Sequence, residues 1–203
     1  MLLLIDNFDS FSHILADNIR QTEPDLIIVR NDIPLRDLKG EAFGGIILSP
    51  GPGIPKNAGH LMEVLDYYHD KLPILGICLG HQAIGEYFGA KLIKSRVPVH
   101  GKITEVRRVH PHPLLAGIPE SFKVTRYHSL EVSEPPPQLD VFLATWQGEI
   151  MAMSHTSLPI MGIQYHPEAY LTEYGLVILR NWVNIYVKGS DGKKLQQIGN
   201  SKN

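Results

Sequence analysis

The sequence predicts an α/β layered fold built on a parallel sheet. Short, continuous apolar runs recur through the first half of the chain, and segments with helical periodicity separate them. After about residue 91 the texture changes, and strand-like pieces follow one another with turn residues between them.

Taken in order, "LLLI" at 2–5 is the first strand. "SFSHILADNIRQ" at 10–21 follows, with Phe11, Ile14, Leu15 and Ile19 at helical spacing and Ser10, or Asp9 before it, placed to cap the helix. "DLIIVR" at 25–30, "GGIILS" at 44–49 and "PILGI" at 73–77 read as continuous apolar strands, as expected where helices cover both faces of a parallel sheet. "HLMEVLDYYHD" at 60–70 and "GHQAIGEYFG" at 80–89 are the intervening helices, bounded by Gly or Pro. The pieces "KITEVRRV", "FKVTRYHSLEV", "VFLATW", "EIMAMSH" and "PIMGIQY" make the second half mostly β. "EYGLVILRNWVNIYV" at 173–187 is a final helix, apolar nearly all round and expected to pack into the body. One domain is expected over 1–187, and the polar segment 188–203 is expected to form a loose tail.

A chain of 203 residues that is 43% hydrophobic has enough apolar side chains for a substantial core. Its 19 basic and 21 acidic residues leave a formal charge of -2, with no basic block long enough to follow a phosphate backbone, which argues against nucleic acid as a partner. The opening "MLLLIDNFDSF" is apolar for about one strand's length only, lacks a basic start and turns acidic at Asp6 and Asp9, so it resembles neither a signal peptide nor a membrane span. A cytoplasmic protein is expected. The single cysteine, Cys78, has no internal disulfide partner, in agreement with a reducing compartment.

That cysteine is the centre of Gly76-Ile77-Cys78-Leu79-Gly80, the G-x-nucleophile-x-G form in which a strand turns sharply into a helix. Such a turn lifts the central side chain clear of the sheet and aims the helix N-terminal amides at it, with the Leu79 N–H where an oxyanion could form. A buried packing cysteine is the alternative. A thiolate needs a base and the base an orienting group; "GIQYHPEAY" offers His166 and Glu168 two apart at a predicted strand end, although a surface His-Pro-Glu without a role has the same form. The third piece, "SPGPGIPKNAG" at 49–59, has four Gly and Pro residues in a row, which forbid regular structure and free the amides of Gly51 and Gly53 to line a pocket. An ordinary loop is its alternative. "VHPHP", with His110 and His112, lacks further ligands at metal spacing and is read as a loop; no metal site is expected.

In this order and with these separations, "PGPG", "GICLGHQ" and "HPE" resemble the triad-type (class I) glutamine amidotransferases, over about residues 2 to 187. "LLLIDNFDSF", "HGK" at 100–102 and "RYHSL" at 126–130 look more narrowly like the small subunits of anthranilate synthase and aminodeoxychorismate synthase. The resemblance implies a twisted, mostly parallel, flavodoxin-like central sheet flanked by helices, with a small additional sheet. It implies Cys78 as nucleophile, His166 as base and Glu168 as its orienter. Gly51 and Leu79 would supply the oxyanion amides, and Gly51, Pro52, Gly53, Gln82, Ser129 and Leu130 would hold L-glutamine. It also implies, as partner, a chorismate-binding synthase subunit, which would carry Mg²⁺ and receive the ammonia; no cofactor is expected in this chain. His100 is expected to face that partner. Tyr165, Ala169, Tyr170 and Ile54 depart from the family's usual residues without removing a triad member. The rival readings are a partner-independent γ-glutamyl hydrolase and a non-enzymatic binding subunit.

Overall fold

Along β1, Leu2–Asp6, successive side chains point to opposite faces of the sheet, and every one of them is buried. The same alternation in β3 (Gly45–Leu48) and β4 (Ile74–Ile77) sorts the apolar residues into two cores. Leu2, Leu4, Ile47, Leu75 and Ile77 pack with Leu15, Ala16 and Ile19 of helix α1 (Ser12–Arg20) and with Ile178, Leu179 and Trp182 of α4 (Gly175–Trp182). On the other face, Leu3, Ile5, Ile46, Leu48 and Ile74 pack with Leu61, Val64 and Leu65 of α2 (Leu61–Tyr68) and with Leu79, Ala83 and Ile84 of α3 (Leu79–Tyr87). Each fully buried Leu or Ile contributes about 1.5–3 kcal/mol relative to exposure, so burial on both faces makes this parallel segment the rigid base of the molecule.

The computed structural model describes residues 1–95 and 99–189. Among them, nine strands form one mixed sheet in the order β2-β1-β3-β4-β11-β10-β9-β6-β7. The strands not yet placed are β2 (Leu26–Arg30), β6 (Lys102–Arg108), β7 (Ser121–Arg126), β9 (Leu139–Thr145), β10 (Ile150–His155) and β11 (Ile160–Ile163). The five strands β2-β1-β3-β4-β11 run parallel, in the doubly wound order of flavodoxin-like folds; the other four continue antiparallel from β11. A second, two-stranded sheet pairs β5 (Lys91–Lys94) with β8 (Leu130–Ser133). The predicted fold class is therefore present, and most of the β-rich second half extends the main sheet.

Several local features differ from expectation. The α1 N-cap is Phe11, with no side-chain cap. The Asp9 carboxylate accepts the Phe11 N–H at 2.8 Å, while Ser12 Oγ donates to Asp6 Oδ1 at 2.6 Å, so the acidic residues brace the turn before the helix. "FKVTRYHSLEV" is two strands, because the chain leaves the main sheet after Arg126 and enters the small one at Leu130. The strand "KLIK" has lysines at both ends and little burial, so it carries no hydrophobic alternation to mark it. The last helix is amphipathic: Leu176 and Arg180 are exposed while Ile178, Leu179 and Trp182 are buried, and its end continues as a π-helical stretch, Val183–Lys188. Of the predicted tail, residues 190–203 lie outside the described residues.

Gly175 opens α4 where the chain packs against the loop after β11. A Cβ there would lie 1.8 Å from the Pro167 carbonyl oxygen. Gly175→Ala is expected to lower stability by about 1–3 kcal/mol in urea unfolding through overpacking. An unchanged midpoint would contradict this contact.

Candidate active site

The carboxyl ends of the parallel strands carry the chemistry-bearing loops, as sheets of this kind dispose them. Between β4 and α3, Cys78 adopts φ 49° and ψ -98°, a conformation that costs a non-glycine residue about 1–3 kcal/mol. The surrounding backbone holds it there: the Cys78 N–H donates to Ile163 O at 2.8 Å, and its carbonyl accepts from Gln82 N at 3.0 Å. The glycines at either side are steric necessities. A Cβ on Gly76 would lie 2.4 Å from the Gly80 carbonyl, and one on Gly80 would lie 2.3 Å from Leu48 O. Only backbone this bare lets the helix start directly over the strand ends. No protein acceptor takes the amides of Leu79 or Gly51 among the described residues, and Leu79 opens α3, where N–H groups and the helix dipole favour negative charge.

Gly51 follows β3 and meets the loop after β1. A Cβ on Gly51 would fall 2.5 Å from Asn7 Cβ and 2.8 Å from Leu79 Cδ2. Asn7 ties the two loops together, its N–H donating to Ser49 Oγ at 2.9 Å and its Nδ2 to Ser49 O at 2.8 Å. Gly53, at φ 78°, continues this loop through the left-handed region.

His166 and Glu168 lie just beyond β11, both buried, with Nδ1 of the imidazole 2.5 Å from Glu168 Oε1. The carboxylate accepts the Nδ1 proton, which assigns the tautomer and leaves Nε2 as the basic nitrogen of the neutral ring. Thr125 O accepts from His166 N at 3.1 Å, and Phe11 and Tyr127 meet the imidazole edge-on at 5.5 and 5.0 Å between centroids. Burial works to lower the His166 pKa, but interaction with the Cys78 sulfur and the hydrogen bond and charge of Glu168 outweigh it and push the pKa up to about 10. Nε2 is buried and makes no formed hydrogen bond; the Glu168 bond is the one defined by geometry.

Cys78 and His166 open on one cavity of about 390 Å³ whose rim includes Phe8, Gly51, His100 and Tyr127. Beside it lies a cavity of about 220 Å³ lined by Gly51, Pro52, Gly53, Cys78, Gln82, Ser129 and Leu130, with Tyr127 and His128. Every residue expected to hold glutamine thus borders one space. It is smaller than the roughly 300–1,000 Å³ of drug-sized pockets and suits a free amino acid. A larger depression of about 790 Å³, lined by Gly44, Pro73 and Pro159 among others, includes none of the expected site residues. His100 is exposed, its ring 5.6 Å from that of Tyr127. His110 pairs with Asp140 at 3.0 Å, and His112 stacks on Phe142 at 3.8 Å. His128, within the quoted "RYHSL" and expected to have no catalytic role, lines the smaller cavity. Two polar contributors carry no expectation from the sequence: Asn7, and Gln164, whose Nε2 donates to Cys78 Sγ at 3.7 Å. Gln164 closes an apolar strand within the quoted "GIQYHPEAY", and a lone polar residue there is the signal that marks it.

The raised His166 pKa has a consequence for stability. The folded chain gains most from the protonated imidazole below the ordinary value near 6.5, and loses that contribution as pH rises through about 10. In urea unfolding, wild type is expected to exceed Glu168→Gln in stability most at about pH 6, with the gap narrowing by about pH 10.5. A gap independent of pH would contradict the pairing.

Residues 3–185 match the family glutamine amidotransferase class-I. The chain is 36% identical over 191 residues to the aminodeoxychorismate/anthranilate synthase component 2 of Bacillus subtilis, covering 93% of this chain and 98% of that protein. It is 39% identical over 190 residues to the bifunctional protein TrpGD of Thermotoga maritima, covering 91% of this chain and about a third, 32%, of that longer protein. A crystal structure from Thermoplasma acidophilum, of a protein provisionally assigned as a GMP synthase subunit, superposes with a TM-score of 0.84 at 29% identity, covering 95% of this chain and 96% of that one. The chain belongs to the class-I glutamine amidotransferase family.

Proposed function

We propose that this chain is the glutaminase component of a two-component synthase: it hydrolyses L-glutamine and passes the ammonia to a chorismate-binding partner that forms anthranilate or 4-amino-4-deoxychorismate. The observation that carries this proposal is the convergence of the strained Cys78 elbow and the buried His166–Glu168 pair on one cavity, beside a pocket sized for an amino acid. The family match supports the glutaminase chemistry, and the component 2 names of relatives support the acceptor.

In this mechanism the Cys78 thiolate attacks the side-chain amide carbon of glutamine. The oxyanion is received by the free amides of Gly51 and Leu79, each such donor worth on the order of 3 kcal/mol in comparable acyl-transfer sites. Protonated His166 gives its Nε2 proton to the amide nitrogen as the C–N bond breaks, and ammonia departs. Neutral again, with Glu168 holding Nδ1, His166 takes a proton from water as it attacks the γ-glutamyl thioester. Glutamate leaves, and the thiolate and imidazolium are restored. The residues of this chain do all of this; Mg²⁺ belongs with the synthase.

A partner is supported by the surface beside the triad. Ile14, Tyr170, Leu171 and Leu176 line a shared depression that Glu168 also borders, and Tyr170 is 98% exposed. Exposed apolar clusters of this kind mark interaction sites. No helix among the described residues is long and apolar enough to cross a membrane. The reading places the protein in the cytoplasm, where a reduced thiol persists.

Two experiments test this function. Mixed with its chorismate-binding subunit, Cys78→Ala is expected to abolish product formation from glutamine while leaving product formation from added ammonium; equal loss of both would overturn the reading. Replacing both Tyr170 and Leu171 by Asp is expected to weaken association with that subunit by tenfold or more, while a glutamine-like diazo-ketone still labels Cys78. Unchanged association would remove this face as the docking surface.

A further inference from the structure

The mechanism leaves Gln164 without a role, although it sits wholly buried against the reacting sulfur. Packing alone would be served by an apolar side chain of similar length, since a buried primary amide costs free energy unless its donors and acceptor are used. Both ends of this amide are used. Nε2 lies 3.7 Å from Cys78 Sγ, and Oε1 accepts from Gln82 Nε2 at 3.3 Å.

The direction of these bonds follows from the groups behind them. The Arg126 guanidinium only donates, so His128 Nε2, 3.0 Å from Arg126 Nε, is an acceptor and the ring carries its proton on Nδ1. That proton goes to Leu130 O at 2.9 Å. Leu130 O, a carbonyl, also accepts from Gln82, which therefore presents its amide nitrogen, at 3.0 Å, and the same nitrogen reaches Gln164. Gln164 must answer with its oxygen, and its own NH₂ group is left to face the sulfur. Glu149 anchors the far end with two bonds of 2.8 Å to Arg126. Burial, with the nearby Arg126 charge, pushes the His128 pKa down to about 4, which keeps this ring neutral and the polarity of the chain constant across neutral pH.

We propose that Gln164 is a catalytic residue that donates a hydrogen bond to the Cys78 sulfur and holds it as a thiolate, and that Gln82 is the positioning residue that sets the amide of Gln164 in the donating sense. The inference rests on the reading of Cys78 as the nucleophile. Stabilising the anion has two opposed effects on turnover. It lowers the sulfur's intrinsic nucleophilicity, and it makes the thiolate a better leaving group when water attacks the thioester. Because Gln82 and Leu130 also line the amino-acid pocket, the same bonds that shape that pocket orient the donor at the sulfur.

The test is the pH dependence of Cys78 alkylation by iodoacetamide, a reaction that needs neither glutamine nor a partner subunit, so its outcome is separable from the glutaminase reading. The titratable groups around the sulfur are His166 and Glu168 beyond β11, Asp9, His100 and Tyr127 on the cavity rim, His128 in the lining of the smaller cavity, and His81 buried in α3; all are retained in the variants. Gln164→Met keeps the length and removes the donor. It is expected to raise the midpoint of the alkylation profile by about one pH unit, the shift corresponding to one hydrogen bond to a charged group. Gln164→Glu, which can still accept from Gln82 but sets a carboxylate by the sulfur, is expected to raise it further. A folded variant with the wild-type midpoint would overturn the proposal. Should neither variant fold, the wild-type side-chain amide resonance of Gln164 is expected to move with the titration of the thiol, and to lose that movement in Cys78→Ala. A resonance that does not respond in wild type would equally overturn it.

Discussion

Cys78 is held in a backbone conformation that its own side chain disfavours, and the rest of the site is arranged around that strain. The energy comes from the two cores on either face of β1, β3 and β4, whose apolar side chains are almost wholly buried. The cost of the elbow, about 1–3 kcal/mol, is small against many buried Leu and Ile side chains at about 1.5–3 kcal/mol each. Gly76 and Gly80 convert that reserve into geometry: with no Cβ at either position, helix α3 begins directly over the strand ends and the sulfur stands at its N-terminus.

The sheet topology then brings distant sequence together. Gly51, Cys78 and His166 follow β3, β4 and β11, which are neighbours in the parallel part of the sheet although β11 comes more than eighty residues after β4. The chain between them folds as the antiparallel extension and returns to the small sheet, delivering Tyr127, His128, Ser129 and Leu130 to the pocket from the side. An ion pair between buried Arg126 and half-buried Glu149 pins that return. The site is thus assembled from a rigid parallel base that carries Cys78 and His166, and a β extension that supplies the wall of the pocket beside them.

Much of this was legible because local and global signals agree. The continuous apolar strands required cover on both faces, and the glycine pair around Cys78 required a close backbone crossing; both are visible as residue types at fixed spacing. What escaped the sequence depends on contacts that no period encodes. The break at Tyr127–Ser129 occurs inside a run of strand-forming residues, and only pairing with β5, itself too short and too charged to show a pattern, reveals that "SLEV" belongs to another sheet. The start of α1 differs from the expected cap because Asp6 accepts from Asp9 N–H and Ser12 Oγ, and Asp9 accepts from Phe11 N–H, in a turn that shares the composition of a cap. The role of Gln164 is not legible locally, because its meaning lies in what it faces, the sulfur of a residue eighty-six positions away.

The central claim is that the elbow makes Cys78 a nucleophile for a glutamine side chain in the pocket beside it. Mass spectrometry of the intact folded protein after exposure to 6-diazo-5-oxo-norleucine tests it most directly. One adduct per chain, mapped to the peptide containing Cys78 and prevented by excess glutamine, is the predicted result. An adduct on another residue, or none on a folded chain, would contradict it.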